Sequence, residues 1–189
     1  MAYDIKDVFY LSTSTTITGS TANGGSAQLD LSAYIDPIAR GRTKGTGLAI
    51  YKIHYIVSQP GNGEPIDDAE AGTFRAAVVA GAGLGDVATG GINQTQSFMG
   101  QFSSLVAGMY EFYGPKSMIA NASTPTTMYN GLMAPSTEVP YVVVRDNVCL
   151  LYDVGDQMTS ATELTIRLEV AQVSLDQATL NQLLRTQTV

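Results

Sequence analysis

An all-β domain, a sandwich or barrel of two antiparallel sheets, is the fold class this sequence predicts, on three observations. Apolar and polar residues alternate with period two, most clearly in "ELTIRLEV", where Leu164, Ile166, Leu168 and Val170 interleave with Glu163, Thr165, Arg167 and Glu169. Such runs recur about eight times along the 189 residues, several of them bounded by Gly, Pro, Asn or Asp. Between them no helical period recurs, so the crossovers that a parallel sheet needs are missing.

Taken in order, the first strand is "IKDVFYLSTSTTI", residues 5–17, and it stops at the polar, glycine-containing "TGSTANGGS". "QLDLSAYI", residues 28–35, directs Leu29, Leu31, Ala33 and Ile35 inward, and Asp36-Pro37 ends it because proline cannot donate to a ladder. "GLAIYKIHYIVSQPG", residues 47–61, has an apolar face of Ala49, Tyr51, Ile53, Tyr55 and Val57. Its other face mixes Leu48 and Ile50 with Lys52, His54 and Ile56, so that part of the strand is expected to meet another subunit. A strand at Thr73–Ala80 runs into glycines, and a less defined one lies within 97–112.

Residues 113–140 hold four prolines and three methionines among many Ser and Thr, a pattern that predicts a long irregular loop. "VPYVVVRDNVCLLYDVGD" then reads as two strands joined at Arg145-Asp146-Asn147. After the alternating "ELTIRLEVAQVS", Leu175, Leu180, Leu183 and Leu184 take helical spacing, and Ser174 with Gln177 fits a capping box. This predicts a short amphipathic C-terminal helix. No internal repeat or linker divides the chain, which reads as one domain over 1–189.

Composition narrows the function classes. Ten basic residues against 17 acidic give a net charge of −7, which argues against a partner held by its phosphates and so against direct contact with nucleic acid. The one cationic group, "RGRTK" at Arg40 to Lys44, reads as a solvated turn. Charged residues are only 14%, and Ser, Thr, Ala and Gly cover much of the outside, which suits packing against neighbours. The opening "MAYDIKDVFY" has no cationic region followed by an apolar core, and no run is long and apolar enough to span a membrane, so synthesis in the cytoplasm is expected.

Each candidate for chemistry meets a simpler reading. Gly81, Gly83 and Gly85 follow an apolar segment as a nucleotide-binding loop would, but Asp86 stands where a third glycine belongs, and Gly90-Gly91 interrupt the helix such a loop requires. A tightly turning loop is the better reading. The single histidine, His54, lies on a strand with Lys52 and Ile56 and reads as a surface or interface residue. No nucleophile elbow, zinc-ligand spacing or Walker A motif occurs, so no catalytic, cofactor-binding or metal site is assigned. Glu64, Asp67, Asp68 and Glu70 could together hold a hard cation but read more simply as a solvated loop. Cys149, the one cysteine, reads as a small buried hydrophobe, with an intermolecular disulfide as the sharper alternative. Asn93 and Asn121 open sequons that matter only if the chain meets the glycosylation machinery.

The opening "MAYDIKDVFYLSTST", the strand "GLAIYKIHYIVS" and the ending "ELTIRLEVAQVSLD", with the overall length, resemble the smaller of the two major capsid proteins of haloarchaeal icosahedral viruses that enclose an internal membrane. The resemblance implies a single eight-stranded jelly roll standing perpendicular to the capsid surface. It further implies homodimers, and heterodimers with a larger jelly-roll capsid protein, that build pseudo-hexameric capsomers of the virion. Penton or spike proteins and the membrane beneath the shell would be further neighbours. A capsid subunit needs a rigid body and contact surfaces but no cofactor and no catalytic group. The alternative is a β-sandwich binding or adhesion module, lectin-like, using the 113–140 loop; an enzyme is the third and weakest reading.

Overall fold

The chain's three-dimensional form is given by a computed structural model, which describes residues 4–5, 7–18, 24–36, 44–66, 70–80, 105–114 and 131–187. The "ELTIRLEV" alternation becomes the spine of one sheet. It lies in β10 (Thr162–Asp176), which pairs antiparallel on one side with β4 (Lys44–Ser58). On its other side β10 takes β2 (Phe9–Ile17) and, near its end, the two-residue β1 (Asp4–Ile5). The short β8 (Tyr141–Val143) completes this first sheet beyond β4. The second sheet runs in the order β3 (Gly25–Asp30), β9 (Asn147–Asp156), β5 (Thr73–Ala80), β6 (Val106–Tyr113) and β7 (Gly131–Met133), all antiparallel. A helix, α1 (Gln177–Thr186), follows β10. The all-β expectation and the C-terminal helix are borne out as two antiparallel sheets facing one another.

The described residues hold ten strands where about eight were expected, because β1 and β7 are only two and three residues long and leave no periodic trace. β7 falls inside the stretch read as an irregular loop, and its residues pair with β6. Of that stretch, residues 115–130 lie outside the described residues, as do the glycines from 81 to 91 and the sequons at Asn93 and Asn121.

The main core lies between the sheets. Leu164, Ile166, Leu168 and Val170 of β10 face Phe74, Ala76 and Val78 of β5 and Val148 and Leu150 of β9. At the mouth of this core Tyr55 stacks on Tyr110 at 5.0 Å between ring centroids, and Phe74 on Phe112 at the same distance.

Three local expectations need correction. The strand read at 28–35 ends at Asp30, whose Oδ1 accepts from the Ser32 N–H at 2.8 Å and turns the chain. The Tyr34 and Ile35 N–H groups then bond the Leu31 carbonyl, so Ala33 is exposed rather than directed inward, while Leu31 and Ile35 are buried. The two faces of the 47–61 strand also exchange along its length. Glu169 pairs with Lys52 but Val170 pairs with Ile50, so Tyr51 is an extra residue in a β-bulge. Leu48 and Ile50 therefore face the main core together with Ile53, while Ala49 and Tyr51 turn to the outside of the sheet. There they meet Ala171, Val173 and Leu175 of β10 beneath Leu180 of α1, a second small core. Finally, β10 continues through Ser174 and Leu175 to Asp176, so Ser174 is not the cap. Asp176 caps α1 instead, accepting from the Thr179 N–H at 2.7 Å.

Candidate functional site

The outer face of the first sheet is divided. Where β10 reads Ala171, Val173 and Leu175, α1 seals it. Where it reads Glu163, Thr165, Arg167 and Glu169, the face is open, and β2 and β4 widen it to three strands. The bulge at Tyr51 brings Lys52, His54 and Ile56 onto this open half, so the three residues expected at an interface do share one surface. β2 adds Tyr10 and the small side chains of Ser12, Ser14 and Thr16, all exposed.

Two diagonal contacts fasten the three strands across this face. The His54 Nε2 and the Glu169 Oε1 are 2.8 Å apart, both side chains partly exposed. The Arg167 guanidinium carbon sits 4.3 Å above the centre of the Tyr10 ring, within the range of a cation–π contact. Between these pairs runs a shallow open groove lined by Tyr10, His54, Ile56, Arg167 and Glu169. Ile56 and Tyr10 remain 47% and 54% exposed, large apolar surfaces amid hydroxyl-bearing residues. Such a face can pack and hydrogen-bond. For acid–base work His54 has Glu169 beside it, but the one thiol lies in the other sheet.

That thiol, Cys149, is buried with Ala77, Val79, Met109 and Leu151 on the outer side of the second sheet. Burial pushes its pKa up, holding it as a neutral thiol. Cys149 thus sits buried among apolar side chains, the surroundings the hydrophobe reading expects.

The acidic cluster also looks different in three dimensions. Glu64 is exposed in a turn with Gln59 and Asn62, and Asp67 and Asp68 lie outside the described residues. Glu70, read as part of a solvated loop, is only 1% exposed. Its Oε1 accepts from the N–H groups of Gly72 at 2.8 Å and Thr159 at 2.7 Å, and its Oε2 from that of Ser160 at 3.0 Å. Burial acts to raise its pKa, but these bonds outweigh it and hold the carboxyl below its ordinary range. Glu70 thus ties the start of β5 to the turn before β10, and nothing in a single sequence distinguishes it from its solvated neighbours. Among the described residues no three His, Cys, Asp or Glu side chains group as a metal requires, and no helix is long and apolar enough to cross a membrane.

Sequence reasoning overlooked Tyr10, because a tyrosine on an alternating strand carries no sign of which neighbour it meets, and it had placed Arg167 and Glu169 on a wet face without a partner. Compared with models of known families and with curated proteins, the chain matches none.

Proposed function

We propose that this protein is a structural subunit of a viral shell, made in the host cytoplasm and carried in the virion, that acts by self-assembly and by pairing with a larger jelly-roll chain. The observation that carries the reading is the strand order. Along the chain, β2 enters the first sheet, β3 the second, β4 the first, β5 and β6 the second, β8 the first, β9 the second and β10 the first. The chain thus alternates between the two sheets in sequence, which supports reading the sandwich as a jelly roll, an architecture used by capsid proteins as well as lectins. The outer surface favours the capsid role. One half of the first sheet's outer face is sealed by α1 within the subunit, and the other half is a broad face on which Lys52 and Arg167 balance Glu163 and Glu169, with Ile56 and Tyr10 protruding.

In this reading homodimers and heterodimers build pseudo-hexameric capsomers in which the Lys52, His54 and Ile56 side of that face meets a neighbouring subunit, with penton or spike proteins and an underlying membrane as further neighbours. The protein uses no cofactor and performs no catalysis. The test is electron microscopy of the chain expressed with a larger all-β partner. Symmetric dimers, capsomers or shells are expected, and an Ile56→Asp variant should lose the capsomers and shells while keeping its fold by circular dichroism. A chain that stays monomeric with every such partner and binds glycans would overturn the proposal in favour of a lectin-like module.

A further inference from the structure

A strand at the edge of a sheet leaves alternate N–H and C=O groups without ladder partners, and proteins guard such edges by making them short, charged, bulged or covered. Three of the four edges here are guarded. The second sheet ends at β3, six residues closed by Asp30, and at β7, three residues long. The first sheet ends on one side at β8, which follows Pro140 and whose flanking backbone is occupied by a side chain: the Gln187 amide donates to the Val142 carbonyl at 2.6 Å and accepts from the Val144 N–H at 3.1 Å. Beyond β8 that side continues along β4, where Lys52 and the bulge at Tyr51 interrupt it.

β2 is the exception. Its nine residues, "FYLSTSTTI", contain no charge, no proline and no glycine, and they pair with β10 in unbroken register. Along its other side no backbone hydrogen bond is made among the described residues.

We propose that β2 is the edge through which two copies of this chain join, antiparallel about a twofold axis at Thr13, so that the first sheet runs from one subunit into the next. This deepens the assembly reading by naming its self-contact. The axis at Thr13 is the one that overlaps all nine residues. It sets Phe9 against Ile17 of the second copy, Tyr10 against Thr16, Leu11 against Thr15 and Ser12 against Ser14. Exposed residues meet exposed ones and half-buried meet inward ones, so neither face is violated. No like charges stand opposite one another, and a chain of net charge −7 meets its copy along an uncharged strip.

Sedimentation equilibrium of the full chain at raised salt tests the register directly. Ser12 and Ser14 are exposed, so replacing them leaves the core intact. The wild-type chain is expected to dimerise, and Ser12→Lys with Ser14→Lys to weaken the dimer by about tenfold or more, since the axis stacks lysine on lysine. Ser12→Lys with Ser14→Glu should bring it back to within about threefold of wild type, since each new lysine then faces a new glutamate. A monomeric wild-type chain, a double-lysine dimer as tight as wild type, or no recovery in the lysine–glutamate variant would each overturn the pairing. Because the readout is the dimer and not the shell, a dimer with this pattern supports the edge pairing even if no shell forms. Shells assembled undiminished from the double-lysine chain would overturn it while leaving the shell reading standing.

Discussion

At the scale of single residues, Glu70 is a side chain on which local order depends. Its carboxylate serves three backbone N–H groups in two segments that are far apart in sequence, and it is buried while doing so. Glu70→Gln keeps the shape but turns one acceptor into a donor that faces the Ser160 N–H, so a loss of about 1–3 kcal/mol is expected in chemical denaturation near neutral pH. Because the folded-state pKa is depressed, the stability Glu70 contributes is complete above the ordinary carboxyl range and is lost as pH falls through it and below. The gap between wild type and Glu70→Gln should therefore narrow on acidification; a constant gap would show that charge is not what binds these N–H groups. Tyr55 makes the opposite prediction. Its hydroxyl is buried without a hydrogen-bond partner among the described residues, and burial raises its pKa, so Tyr55→Phe should leave stability unchanged or raise it while keeping the stack on Tyr110.

At the scale of elements, α1 is held by its two ends as much as by Leu180. Asp176 begins it, and just beyond its last turn Gln187 is buried, its amide on β8 and its carbonyl oxygen accepting from the Arg145 Nε at 3.0 Å. Gln187→Ala would leave the Val142 carbonyl and Val144 N–H buried and unpaired. A loss of about 1–3 kcal/mol and faster hydrogen exchange in α1 are expected, whereas an unchanged exchange pattern would mean that Leu180 alone docks the helix. How much of this was legible follows from what each element depends on. The strands β2 and β10 could be read because burial on one side writes itself into alternate residues, and β5 and β9 because burial on both faces makes them near-continuous apolar runs. The helix could be read from its leucines, but not its start, because Ser174 and Asp176 are both good caps and only the end of the β10 ladder decides between them. The faces of β4 could not be assigned, because one extra residue at Tyr51 reverses the parity without changing the composition of the strand. The open face was half legible for the same reason: Lys52, His54 and Ile56 share a strand, while Tyr10, Arg167 and Glu169 join them only through pairings about 105 to 161 residues apart in sequence, which local pattern does not encode.

At the scale of the whole molecule, the question is what kind of force a subunit like this brings to its neighbours. Each copy carries −7, so bringing copies together raises a repulsion that acts over roughly 10 Å at 0.1 M salt and only about 3 Å at 1 M. Of the charges on the open face, Glu169 is hydrogen-bonded to His54 and Arg167 lies on the Tyr10 ring, so these two are poorly placed to make ion pairs with a second copy. What remains for contact is the uncharged β2 edge with the apolar surfaces of Ile56 and Tyr10, whose attraction salt does not screen. Raising salt therefore removes the opposing term and leaves the favourable one, and self-association should tighten as ionic strength rises. Light scattering across a series of sodium chloride concentrations checks this through its sign. Association that weakened with salt would mean that ion pairs between subunits hold the assembly, and the contact surface would then have to be sought among the charged loops and not on the open face of the first sheet.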